Sequence, residues 1–109
     1  LVARDLRRRI AANPLDRAAR LALAKHYQKL GYSELAVEHL RLAAERFPED
    51  GDVALLLAES LAEQGLVAEA TSHLNGFLAK GAGDRADLPA LLGLLRDELE
   101  QYALAESAH

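Results

Sequence analysis

The 109-residue sequence has no cysteine, no methionine and no tryptophan. Without cysteine there is no disulfide scaffold, no thiolate metal site and no cysteine nucleophile. β-Branched residues are nearly missing as well: Val2, Ile10, Val37, Val53, Val67 and Thr71 are all there are, beside three Tyr and two Phe. Strands favour these residue types, so their scarcity argues against a sheet. No apolar run approaches the ~20 residues that cross a bilayer, so no membrane insertion is expected. The chain opens at Leu1 rather than Met, from which we expect a fragment of a longer protein. Its ends therefore give no compartment beyond a cytoplasmic default. What is abundant is Leu, at 23, and Ala, at 22, the residues that lose least on entering a helix. The fold class expected is all-α.

The net charge of −4 is unevenly spread. Residues 1–29 carry eight Arg or Lys against Asp5 and Asp16, while the other 80 residues carry five basic and fifteen acidic groups. A basic end suits nucleic acid, but only Tyr27 stands nearby to stack on a base, so no nucleic-acid partner is expected. The bias reads better as solvated helix faces, complementary to a partner or a neighbouring segment.

Sliding the sequence against itself exposes a repeat at an offset of 34. Pro14 falls on Pro48, Asp16 on Asp50, Leu23-Ala24 on Leu57-Ala58, Gly31 on Gly65, Ala36 on Ala70 and His39-Leu40 on His73-Leu74. A bias towards Ala and Leu would not align the glycines and prolines. Each unit predicts two helices. The first runs from Arg17 to Leu30, with Leu21, Leu23, Ala24, Tyr27 and Leu30 recurring at helical spacing, and is ended by Gly31 as a left-handed residue. Ser33 is the expected N-cap of the second, which carries Leu35, Ala36, Leu40, Ala43 and Phe47 along one side and stops at Pro48. The next unit restarts with Asp50 or Asp52 as cap, continues from Val53 to Gln64 and Gly65, then from Val67 to about Lys80, and closes at Gly81-Ala82-Gly83.

The expected organisation is one domain over 1–109. Residues 1–14 are the second helix of a truncated repeat, with Leu6 in register with Leu40 and Leu74. Residues 15–48 and 49–83 are the two full repeats, and 84–109 a capping helix. Asp84 or Asp87 caps that helix, with Pro89 in its first turn. Its expected stripe is Leu88, Leu91, Leu92, Leu95, Leu99 and Tyr102.

The chain resembles the tetratricopeptide repeat (TPR) family. The first unit carries the pattern as Leu23-Ala24, Tyr27, Gly31, Ala36, Leu40, Ala43 and Pro48; the second keeps Leu57-Ala58, Gly65, Ala70 and Leu74. Small residues at Ala24, Ala36 and Ala43 let helices approach while larger neighbours fill the gaps. The second unit departs at Leu61, Phe77 and Ala82, and Arg20 and Ala54 stand where the family has a large aromatic. The resemblance covers about residues 14–83. It implies a right-handed superhelical stack of antiparallel helix pairs, a TPR-like α-solenoid with a terminal capping helix. It also implies a function: binding a partner peptide or helix in a concave groove lined by the first helices, with no catalysis and no cofactor.

On that resemblance the groove residues are Leu21, Lys25, Gln28 and Lys29 in the first unit and Asp52, Leu55, Leu56, Glu59 and Glu63 in the second. Pro89, Gly93 and Arg96 join them from the last helix. For any one of these an ordinary solvent-facing position is the competing reading. Family members that clamp the C-terminal carboxylate of chaperones use Lys, Asn and Arg on successive first helices. Here no asparagine stands at those positions and Glu59 would repel a carboxylate, so that ligand class is disfavoured.

Other chemistry finds little support. His39 and His73, one repeat apart, are expected near each other on the outer face, but two histidines make a poor zinc site, so no metal is assigned. His26 reads as a packing residue beside Tyr27. No catalytic constellation and no phosphate-binding glycine loop are present, so no enzyme is expected. Leu94 and Leu104 lie off the main stripe of the last helix. They motivate the alternative function, self-association as an oligomerisation scaffold, a homo-oligomer formed through that helix.

Overall fold

The computed structural model describes residues 2–81 and 85–107. Every regular element among them is helical: α1 (Val2–Ala12), α2 (Arg17–Lys29), α3 (Ser33–Arg46), α4 (Gly51–Glu63), α5 (Val67–Ala79) and α6 (Asp87–Ser107).

The helix ends show why the chain breaks where it does. Asp16 caps α2, its carboxylate accepting from the Ala19 amide at 3.0 Å, and Asp50 caps α4 by accepting from the amides of Asp52 and Val53. Gly31 and Gly65 both stand at φ 84°, the left-handed region that an L side chain resists. Each closes the same turn. The amide of Gly31 donates to Gln28 and that of Tyr32 to Tyr27, just as Gly65 donates to Ala62 and Leu66 to Leu61.

This turn corrects the expected cap at Ser33. Tyr32 and Leu66 are the N-caps of α3 and α5, neither with a side-chain cap. Each residue both finishes one helix and starts the next, so the glycine turn itself delivers the chain into the following helix. Ser33 is the first residue of α3, and its hydroxyl donates to Glu63, the last residue of α4, at 2.9 Å. Asp87 is the first residue of α6. The expected roles of Ala82, Gly83 and Asp84 lie outside the described residues.

The 34-residue register recurs as a pattern of burial. Leu6, Leu40 and Leu74 are all buried, as are the pairs Ala24 and Ala58, Ala36 and Ala70, and Tyr27 and Leu61. Each helix packs on the next in sequence. Beyond that, α2 approaches α4 and α4 approaches α6, while α1 and α3, and α3 and α5, keep their backbones apart. The helices thus form two rows, with α2, α4 and α6 drawn together.

The molecule is long, 51 × 31 × 19 Å, with a radius of gyration of 15.1 Å. A compact domain of this size would have about 13 Å. Three positions expected on apolar stripes lie outside the packing: Leu30 and Leu35 are exposed, and Tyr102 lies on the last turns of α6, where residues 100–107 are all exposed. Among the described residues no helix is long and apolar enough to cross a membrane.

Candidate functional site

The α2–α4–α6 row carries the candidate residues at repeat-related positions: Lys25 stands 34 before Glu59, and Lys29 34 before Glu63. Lys25, Lys29 and Glu63 are exposed, and Gln28, Leu55 and Glu59 are half-buried. Neither lysine makes an ion pair among the described residues. One face of the row therefore passes from basic on α2 to acidic on α4.

Four candidate residues sit differently from the expectation: Leu21, Leu56, Arg96 and Asp52. Leu21 and Leu56, at 6% and 7% exposed, belong to the core. Both helices have neighbours on two sides, so the apolar arc is wider than one stripe and takes in the flank assigned to the groove. Arg96 donates to Asn75 of α5 at 2.7 Å, which ties it to the α5–α6 contact. Pro89 and Gly93 are exposed on α6.

Glu59 is the least comfortable charge on this face. Burial pushes its pKa up, and the nearby carboxylates of Glu63 and Asp87 push in the same direction. No cation offsets them among the described residues, so Glu59 is a carboxylate that a positive group would stabilise.

Sequence reasoning missed a ladder of ion pairs across the starts of α2, α4 and α6. Arg17 binds Asp50 and, at 3.0 Å, Asp52; Arg85 binds Asp52 and Asp87, both at 2.8 Å. The Arg17 guanidinium holds Asp50 below the usual carboxylate range, and Arg85 does the same for Asp52 and Asp87. Asp52, expected in the groove, is thus engaged by two arginines. A signal was present: Arg17 and Arg85 are two spacings of 34 apart, and the position between them is Gly51. A Cβ at Gly51 would stand 2.7 Å from Arg85 Nη1, so the glycine makes room for the arginine.

No family model matches this sequence, and no curated protein matches it. The site stands on its own residues.

His39 and His73 are both half-buried. His39 stacks on Tyr27 with ring centres 5.9 Å apart, and its Nδ1 lies 3.4 Å from Arg20 Nη1. Arg20 is itself buried and donates to the Pro14 carbonyl, while Arg7 donates to the Tyr27 hydroxyl at 2.8 Å. Burial lowers the pKa of His39, helped by Arg20; burial lowers that of His73, helped by Arg41. Both shifts favour the neutral imidazole. Among the described residues no group of three His, Cys, Asp or Glu could hold a metal. A cleft of about 560 Å³ opens beside Phe77, Lys80 and Arg85, and none of the candidate residues lines it.

Proposed function

We propose that this chain is a TPR-like α-solenoid segment that binds a partner peptide or helix along the α2–α4–α6 face and performs no chemistry of its own. The 34-residue register supports the repeat reading, because equivalent residues are buried alike in successive units. The observation that carries the binding reading is the two-row arrangement. Where one row of helices is drawn together and the other is not, the closer row is the inside of the bend, and its outward side chains form a shallow groove. Exposed Lys25 and Lys29 on α2 and half-buried Glu59 and Leu55 on α4 would supply its contacts, with Glu63 also held by Ser33 of α3. Such a surface prefers a segment carrying an acidic group followed by a basic one, the latter meeting Glu59.

The test is selection from a displayed random-peptide library, followed by titration of the selected peptides. The wild-type chain is compared with a variant carrying Lys25→Glu and Glu59→Lys. We expect selected peptides of the stated polarity and a loss of affinity of about tenfold or more in the variant, corresponding to ~1.4 kcal/mol. The melting temperature should move by no more than ~2–4 °C, since the substituted groups reach solvent. Failure to select any peptide, or affinity unchanged by the reversal, rejects the reading.

A further inference from the structure

His39 and His73 occupy the same position of successive repeats, yet their surroundings differ. His39 stacks on Tyr27 and meets Arg20, both on α2; the residues equivalent to Arg20 and Tyr27 on α4 are Ala54 and Leu61. An arginine side chain only donates, so Nδ1 of the ring, at 3.4 Å, is the acceptor of this contact. The neutral ring then carries its proton on Nε2. The same guanidinium donates to the Pro14 carbonyl at 3.2 Å, in the turn between α1 and α2. From α1, Arg7 donates to the hydroxyl of the same Tyr27. One imidazole thus completes a chain of contacts that joins α1, the following turn, α2 and α3.

The charges around this ring are mostly of one sign. Buried Arg20 and exposed Arg7 have no carboxylate partner among the described residues. Glu38, exposed on α3, is the acid whose charge favours an imidazolium there. Arg41 shares with Glu38, His39 and Leu42 a cleft of about 460 Å³ and is engaged by Glu69 of α5. α4, also packed on α3, brings no charged group to the ring among the described residues. The cleft brings solvent to the half-buried ring. A proton on Nδ1 replaces the acceptor by a second donor and sets an imidazolium against two guanidinium groups. The face of Tyr27 attracts a cation, but that attraction falls short of the repulsion from a guanidinium in contact.

We propose that Arg7, Tyr27, His39 and Arg20 form a latch on the α1–α2 junction, closed while the imidazole is neutral and opened when it takes up a proton. Opening withdraws Arg20 from both His39 and the Pro14 carbonyl, so the turn and α1 loosen from α2 while α4, α5 and α6 keep their packing. Burial and the Arg20 charge lower the pKa of His39, which places the event below its ordinary 6.5. His73 builds no such latch. Its Nε2 is buried without a partner among the described residues, and the charge of Arg41 near it is offset by Glu69. The latch is independent of any ligand in the groove.

A histidine-resolved NMR titration of the whole chain from pH 8 to pH 5, with amide-exchange protection factors at each step, tests it. The range stays above the ordinary 3.8 of Asp16, so the cap of α2 is intact throughout. His39 is expected to titrate below 6.5. Through the same midpoint, protection over residues 2–20 should fall by about tenfold more than that of α4, α5 and α6. His39→Gln, whose amide oxygen can still accept from Arg20, should keep the junction closed and lose this excess. Arg20→Gln should raise the His39 midpoint by about half a unit or more and leave that of His73 in place. Arg7→Gln replaces it if Arg20→Gln fails to fold. Protection unchanged through the His39 midpoint overturns the proposal. So do an excess that persists in His39→Gln, a His39 midpoint unmoved by the arginine variant, and a loss of protection shared equally by all six helices.

Discussion

Ser60 is fully buried in α4, and its hydroxyl has no hydrogen-bond partner among the described residues. A buried polar atom left unpaired loses its hydration without compensation. Replacing Ser60 by Ala is therefore expected to raise stability by about 1 kcal/mol, read from thermal or urea unfolding. A loss of stability would mean that the hydroxyl is satisfied in solution. Arg20 illustrates the opposite outcome. It is nearly as buried, but its guanidinium reaches the Pro14 carbonyl and approaches His39. Its burial is compensated by partners that belong to the fold.

Among the elements, α4 draws two kinds of support from a single residue at its start. Asp50 accepts from two backbone amides of α4 and also receives the Arg17 guanidinium from α2. Asp50→Ala removes both contributions and should cost about 1–2 kcal/mol, the loss of the cap dominating. Asp50→Asn keeps a capping oxygen and gives up only the ion pair, which is worth no more than ~1 kcal/mol where solvent screens it. Denaturant unfolding of the two variants separates these parts, and equal losses would assign the whole effect to the ion pair. α3 and α5 have no such dependence, because the turns at Gly31 and Gly65 start them without a side-chain cap.

For the whole molecule, helices that each pack on the next in sequence draw their stability from those contacts, and the titratable groups between them report on it. His39 and His73 have folded-state pKa values below their ordinary 6.5, so the unfolded chain takes up protons first as pH falls. Their contribution is intact above pH 6.5 and is lost progressively below it, towards the lowered folded values. Asp50 and Asp52 act in the same direction from their ordinary 3.8 downwards. Glu59 acts oppositely: its raised pKa disfavours the fold at neutral pH, and that penalty is relieved as pH falls through the raised value. Unfolding free energies measured from pH 8 to pH 4 should be flat above about 7 and decline below 6.5. A rise in stability on acidification between 7 and 5 would contradict the histidine assignment.

Much of this architecture is local and therefore legible along the chain. Asp16, Gly31, Pro48, Asp50 and Gly65 mark helix ends because a cap, a left-handed residue or a missing amide acts within a few residues of itself. The 34-residue spacing, together with the abundance of Ala and Leu, placed six helices and most of the buried register. Of the residues expected to line a groove, Lys25, Lys29 and Glu63 are exposed and Glu59 is half-buried. Leu21 and Leu56 entered the core, Arg96 turned to Asn75, and Asp52 was taken up by Arg17 and Arg85. A helical period says which residues share an arc. Which edge of that arc is covered depends on the helices lying on either side, and a long arginine finds its carboxylate only when two helix starts have been brought together. Those outcomes are set by packing between elements distant in sequence, so they belong to the assembled fold.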